Sequence, residues 1–81
     1  MSALNSVILE GEFQHFTSKK GEIPLRFLIK NNGQSFGISV PSKKMADVFT
    51  NKKVKKLRLV GKLDHAGRTV VIQAEHIDYK A

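Results

Sequence analysis

Apolar and polar residues alternate along most of this chain with the two-residue period of β-strands. In residues 25–30, for example, Leu25, Phe27 and Ile29 share one face. Successive side chains of a strand point to opposite sides of a sheet, so such a run buries one face and exposes the other. The pattern predicts five strands, over residues 4–16, 25–30, 34–40, 56–63 and 69–78.

Turn and helix signals separate these strands. Asn31-Asn32-Gly33 lies between two alternating runs and indicates a tight hairpin, and residues 65–68 indicate a second one. Ser42 is a typical helix N-cap, which predicts a short helix over residues 43–50. The apolar residues at helical spacing in this helix are Met45, Val48 and Phe49.

Two of the predicted strands carry a glycine at the same place, Gly11 in the first and Gly61 in the fourth. Glycine weakens a strand, so in this position it indicates a bulge, a sharp coil or a close backbone approach. Small barrels need such bends because their strands must curl until the first meets the last. Three strands, a helix and two strands form the plan of the OB-fold, so we expect one all-β domain over residues 1–81. It would be a five-stranded, partly open Greek-key barrel with a short helix between strands 3 and 4.

The charge balance points to a polyanionic partner. Fourteen Lys and Arg residues stand against seven Asp and Glu, which gives a formal net charge of +7. A surplus of this size attracts nucleic acid or anionic lipid and speeds association with it. A membrane surface would require a basic amphipathic helix, and the one predicted helix is too short for that role. Nucleic acid is therefore the favoured partner.

Cysteine usage and hydropathy limit the remaining classes. The chain has no cysteine, which excludes disulfides and thiolate metal sites. It has no run of 18 apolar residues and no secretory signal pattern, so we expect no membrane span and a cytoplasmic location.

Three segments stand out in their order along the chain: residues 5–11, an Asn followed by an apolar run that ends in Gly11, and residues 57–63 and 70–77. They resemble the opening and the last two strands of the bacterial single-stranded DNA-binding protein (SSB) family, including the PriB-type primosomal replication protein. Residues 21–24 and 74–77 also resemble PriB. The resemblance implies an OB-fold that binds single-stranded DNA, assembles into a homodimer or homotetramer and works with replication proteins. The chain departs from the family in having no tryptophan to stack on bases and no acidic C-terminal tail.

Binding of a single strand requires cations along a groove and flat side chains beneath the bases. On the second and fourth strands, cations alternate with the apolar face, and they are the candidate phosphate ligands: Arg26, Lys30, Arg58 and Lys62. Cations in the first and last inter-strand loops, which flank the ligand on OB-folds, are Lys19, Lys20 and Arg68. Phe16 lies past the apolar alternation of the first strand and is the candidate stacking residue. The lysine-rich segment 52–56 is interpreted as a solvated turn.

No pattern in the chain supports catalysis, so we expect a binding protein that is not an enzyme. His15, His65 and His76 have no metal-ligand spacing, and no phosphate-binding or dinucleotide fingerprint is present. Two alternatives remain open from the sequence. One is an OB-fold that docks on a replication or conjugation enzyme, and the other is an OB-fold that binds RNA, since backbone contacts alone do not separate RNA from DNA.

Overall fold

The computed structural model describes residues 6–51, 53–66 and 69–80. Its elements are β1 (Ser6–Phe16), β2 (Leu25–Asn31), β3 (Gln34–Val40), α1 (Lys43–Thr50), β4 (Lys56–Ala66) and β5 (Thr69–Lys80). The predicted order is confirmed. The last two strands run further than predicted, so His65 and Ala66 belong to β4 rather than to a turn. Residues 67 and 68, the rest of that predicted hairpin, lie outside the described residues, as do residues 4 and 5.

The strands close into a barrel with the order β1-β2-β3-β5-β4. β1 is shared between two partners: its first half pairs with β4, from Ser6 to Glu12, and its second half pairs with β2, from Glu12 to Phe16. A short parallel pairing of β3 with β5, at Ile38 and Ser39 of β3, completes the ring. This topology, with α1 between β3 and β4, is the OB-fold. The predicted fold class is therefore confirmed.

Gly11 of β1 and Gly61 of β4 lie where the backbone of a neighbouring strand approaches closely. A Cβ atom on Gly61 would lie 2.3 Å from the carbonyl oxygen of Gln73, and one on Gly11 would lie 2.8 Å from that of Lys30. The register of β4 with β5 also shifts between Val60 and Gly61, as in a β-bulge. The expected bend or close approach is confirmed at both glycines, because a side chain at either would strike backbone.

The core consists of the inward side chains of the strands and two residues of α1. Its fully buried members include Phe27, Ile29, Ile38, Val40, Phe49, Leu57 and Leu59. Phe27 and Phe49 stack with their ring centroids 4.5 Å apart, so α1 closes one end of the barrel through an aromatic contact. We call this the helix end. The other end, which we call the open end, is where β1 begins and β4 finishes.

The helix α1 begins as predicted, because the Ser42 hydroxyl accepts a hydrogen bond from the Met45 backbone N–H at 3.3 Å. Its buried residues are Ala46 and Phe49, whereas Val48 is 44% exposed. Val48 therefore does not belong to the apolar face predicted from spacing. It lies about 100° round the helix from Phe49, on the side away from Ala46.

Candidate nucleic-acid interface

The outer surface of β2 and β3 carries a cation at each end and small or apolar residues between them. Its residues on β2 are Arg26, Leu28 and Lys30, and their partners on β3 are Ser39, Gly37 and Ser35. We call this surface the β2–β3 face. Arg26 and Lys30 are exposed, and neither forms an ion pair within the described part of the chain. Two unpaired cations on one strand face are suited to holding phosphate groups.

The centre of the β2–β3 face is apolar, and Leu28, Ser35 and Gly37 line one side of a cavity of about 550 Å³. Half-buried Leu28 lies between the two cations, opposite Gly37 on β3. A Cβ atom on Gly37 would be 3.4 Å from Cγ1 of Val71, so the side chain of Val71 on β5 borders this point. Ser35 is exposed and Gly37 is half-buried, and both are small, so a nucleotide could lie flat over Leu28 and Gly37. The chain thus offers an aliphatic floor rather than an indole for base contact.

A β-bulge in β1 decides which aromatic ring faces outward. The register with β2 shifts between Phe13 and His15, which leaves Gln14 as the extra residue. After the shift, exposed His15 lies opposite Leu28 and Phe16 lies opposite buried Phe27. A bulge reverses the alternation beyond it, so His15 takes the outer face and Phe16 the inner one. No local signal in the sequence marks this bulge.

Phe16 consequently belongs to an aromatic cluster at the helix end. Its ring centroid lies 5.0 Å from that of Phe13 and 5.9 Å from that of Phe49, both in edge-to-face arrangements. The side chain is still 41% exposed, and it lines a cavity of about 220 Å³ together with Lys19 and Lys20. The structure therefore brings three of the predicted site residues together. The role of Phe16 in base stacking stays a prediction.

The loop between β1 and β2 is anchored directly behind Arg26. The backbone N–H of Arg26 donates to the Ser18 hydroxyl at 2.9 Å, and its carbonyl accepts from the Thr17 N–H at 2.9 Å. Farther along, the Lys19 N–H donates to the Glu22 carboxylate at 3.1 Å. These bonds hold both loop lysines beside the helix-end margin of the β2–β3 face.

The predicted cations of β4 occupy a different part of the barrel. Arg58 is exposed, but it lies opposite Glu10 on one side and Asp78 on the other. Lys62 forms an ion pair with Glu75, with 3.6 Å between Nζ and Oε2. In the barrel, β4 adjoins β1 and β5 and does not touch β2. The four strand cations therefore do not form one surface. Arg58 has two carboxylates opposite it and Lys62 is ion-paired, whereas Lys30 has one carboxylate opposite it, Glu12. Arg68, the remaining predicted contact, lies outside the described residues.

Candidate metal-ligating side chains are scattered in the described ranges. They contain no group of three or more His, Asp or Glu side chains that could hold a metal ion. Burial raises the pKa of the Tyr79 phenol above its ordinary value, and its ring lies 5.6 Å from Phe49 at the helix end. In the same ranges no helix is long and apolar enough to cross a membrane.

Solved structures with this fold include small single-stranded DNA-binding proteins. A small single-stranded DNA-binding protein of Mycoplasma pneumoniae matches with a TM-score of 0.74 and 19% identity, over 91% of each chain. The mitochondrial single-stranded DNA-binding protein Rim1 of S. cerevisiae matches with a TM-score of 0.75 and 14% identity, over 93% of this chain and 91% of that one. The expected likeness to such proteins is confirmed as a likeness of fold. The resemblance to PriB stays a prediction.

A chain of a protein complex also matches this fold, at lower sequence identity. The S. pombe Stn1–Ten1 complex matches with a TM-score of 0.78 and 10% identity, over 94% of this chain. The present chain spans 58% of the length of that matched chain. No protein-family model and no curated protein sequence matches the chain.

Sequence reasoning missed several residues of the candidate interface. Leu28 was visible on the outward face of its strand, between two cations, and could have been proposed from alternation alone. Gly37 and Ser35 carry no charge or ring, so no chemical signal distinguished them. His15 could not be assigned to the outer face without the bulge.

Proposed function

We propose that this protein binds single-stranded DNA along the β2–β3 face, largely regardless of base sequence and without catalysis. Support comes from Arg26 and Lys30, two exposed cations that flank Leu28 on one strand and form no ion pair with any residue that the structure describes. The phosphate backbone supplies most of the affinity in such sites, and an apolar floor contacts any base. The fold shared with small single-stranded DNA-binding proteins agrees with this assignment.

The loop between β1 and β2 would close over one end of the bound strand. Lys19 and Lys20 lie next to the cavity beside Phe16, at the margin of the face where Arg26 is anchored. Cations at this margin would extend the phosphate path beyond the sheet. One such domain is expected to cover about 4–16 nucleotides.

The test is a comparison of two charge-matched double variants. Anisotropy of a labelled thymidine oligomer of about 30 nucleotides would be measured at about 50 and about 200 mM salt. Each phosphate contact contributes about 0.7 to the log–log salt slope on single strands, so R26Q/K30Q should flatten the slope by about 1.4. R58Q/K62Q removes the same charge from β4, where Arg58 lies opposite Glu10 and Asp78 and Lys62 is paired with Glu75, and it should leave the slope near that of the wild type.

Each outcome of this comparison has a clear meaning. If both double variants flatten the salt slope equally, the β4 cations also belong to the binding site, as the alternation of residues along β4 predicted. No binding by the wild type at low salt would overturn the proposal and favour docking on a protein partner. Competition with duplex DNA and with RNA of the same length tests strand class, and equal competition by RNA would make this a general single-strand binder.

We further propose that the protein works in the cytoplasm as a homodimer or homotetramer, with the open end of the barrel at the interface. Ile8, Leu63 and Val70 are 64%, 47% and 53% exposed, and they line an apolar cavity of about 550 Å³. The same cavity reaches Leu28, Ser35 and Gly37, so an interface there would adjoin the β2–β3 face. In the described chain, the first half of β1 has β4 on one side and no strand on the other. An apolar patch beside an open strand edge favours association with a second copy. Light scattering that gives only the 9.1 kDa monomer at micromolar concentration would contradict this assembly.

A further inference from the structure

The segment that joins α1 to β4 is basic and lies against β1. Lys53, Lys55 and Lys56 are exposed, and none of them forms an ion pair within the described ranges. The carbonyl of Lys55 accepts a hydrogen bond from the Phe13 backbone N–H at 2.9 Å. This bond fixes the segment beside the second half of β1.

The register of the barrel connects this segment to the β2–β3 face. Lys56 lies opposite Glu12 on β1, and Glu12 lies opposite Lys30 on β2. Two strand spacings separate Lys30 from Lys56, or about 10 Å. That distance is close to the Debye length at 0.1 M salt, so the potentials of the two cations overlap. Glu12 is the one carboxylate in this row.

Toward the helix end, the outer surface of β1 loses its carboxylates. Glu10 and Glu12 occupy its middle, but the next outward residues are Gln14 and His15, both exposed and neither one acidic. Gln14 accepts a hydrogen bond from the Ser35 hydroxyl at 2.8 Å, so its side chain reaches across β2. A polyanion could therefore cross β1 here without meeting a negative charge.

We propose that the bound single strand crosses β1 at Gln14 and His15 and continues onto the lysines of residues 53–56. This proposal rests on the proposed function and extends its site to a second basic surface. The DNA strand begins on the β2–β3 face, passes over the imidazole of His15, and then follows Lys55 and Lys56. Bases stack on histidine as well as on larger aromatic rings, so the crossing has both a flat contact and cations beyond it.

The experiment compares oligothymidylates of about 6 and about 20 nucleotides, lengths that fall near and above the limits of a single OB-fold site. The variant K55Q/K56Q would be measured against K43Q/K44Q, which removes the same charge from two exposed lysines of α1. Circular dichroism and urea unfolding would establish that each variant is folded. R26Q/K30Q serves as the reference for the first surface.

K55Q/K56Q should bind the short oligomer like the wild type and the long oligomer about tenfold more weakly, with a slope flatter by about 1.4 on the long one alone. K43Q/K44Q should match the wild type on both lengths. Equal behaviour of the two lysine variants on the long oligomer would overturn the extended path, as would an equal loss on both lengths. A wild type that binds neither oligomer would overturn both proposals, whereas a loss confined to R26Q/K30Q would retain the proposed function alone.

Discussion

Phe16 lies opposite Phe27 in the register of β1 and β2, and the centroids of their rings are 6.3 Å apart. Since Phe27 is fully buried, this pairing places Phe16 on the inner side of the barrel wall. The bulge before it has the opposite effect on His15, which faces outward beside Leu28. Phe16 therefore packs against the aromatic rings of the core, whereas the neighbouring His15 faces outward, where we propose that it contacts bases.

Substitution of these two neighbours should separate stability from binding. Phe16→Ala should lower the free energy of unfolding by about 1–2 kcal/mol, less than the 3–5 kcal/mol typical of a fully buried phenylalanine, because the ring is partly exposed. His15→Ala should leave unfolding unchanged and weaken binding of a long oligothymidylate by about threefold to tenfold. Urea unfolding followed by circular dichroism, together with anisotropy, checks both variants. A loss of affinity confined to Phe16→Ala would restore Phe16 as the stacking residue.

Alanine substitutions at the three strand glycines should lower the free energy of unfolding by different amounts. Gly61→Ala should be the most damaging, at about 3 kcal/mol or more, because its Cβ would lie 2.3 Å from the Gln73 carbonyl oxygen. Gly11→Ala should follow, with a contact of 2.8 Å to the Lys30 carbonyl oxygen. Gly37→Ala is the control, since its nearest contact is the ordinary 3.4 Å distance to Val71. Thermal and urea unfolding measure the order, and equal tolerance at residues 61 and 37 would contradict the close approach.

A carboxylate introduced on the β2–β3 face should repel single-stranded DNA. Ser35→Glu places a negative charge opposite Lys30, and we expect binding to weaken by at least about tenfold at low salt. Ser6→Glu makes the same change on an exposed serine of β1 that lies opposite Lys62, away from this face. Anisotropy at one salt concentration compares the two. Similar losses in both variants would show that net charge, rather than position, governs binding.

The phenol of Tyr79 gives a prediction for high pH. Burial raises its pKa above the unfolded value of about 10, so the folded state keeps its proton longer than the unfolded state does. The resulting stability is present in full below the unfolded pKa and is lost as pH rises through the folded pKa. Tyr79 is the single tyrosine and the chain has no tryptophan, so phenolate absorbance reports on it directly. Titration of the folded protein at the same pH as the urea-unfolded chain would contradict the burial of this ring.

Most of the fold could be predicted because its signals are local. Alternation at Leu25, Phe27 and Ile29 marks a strand wherever that strand later packs, and an Asn-Gly turn joins two strands with little outside help. Gly11 and Gly61 marked the bends, although their partners Lys30 and Gln73 are far away in sequence. Val48 was misplaced because spacing alone does not set where the apolar face of a short helix is centred.

The candidate site depends on relationships that cross the barrel. The sequence by itself determined that Arg26, Lys30, Arg58 and Lys62 face away from the core, because the strand period of two fixes the side of each residue. Only the tertiary structure decided which of them lie together, since strand order places β2 between β1 and β3, and β4 between β1 and β5. The tertiary structure also turned His15 outward, through a bulge that forms only when β1 pairs with β2. Periodicity is a property of one strand, whereas a surface is a property of several, and their arrangement is set by packing.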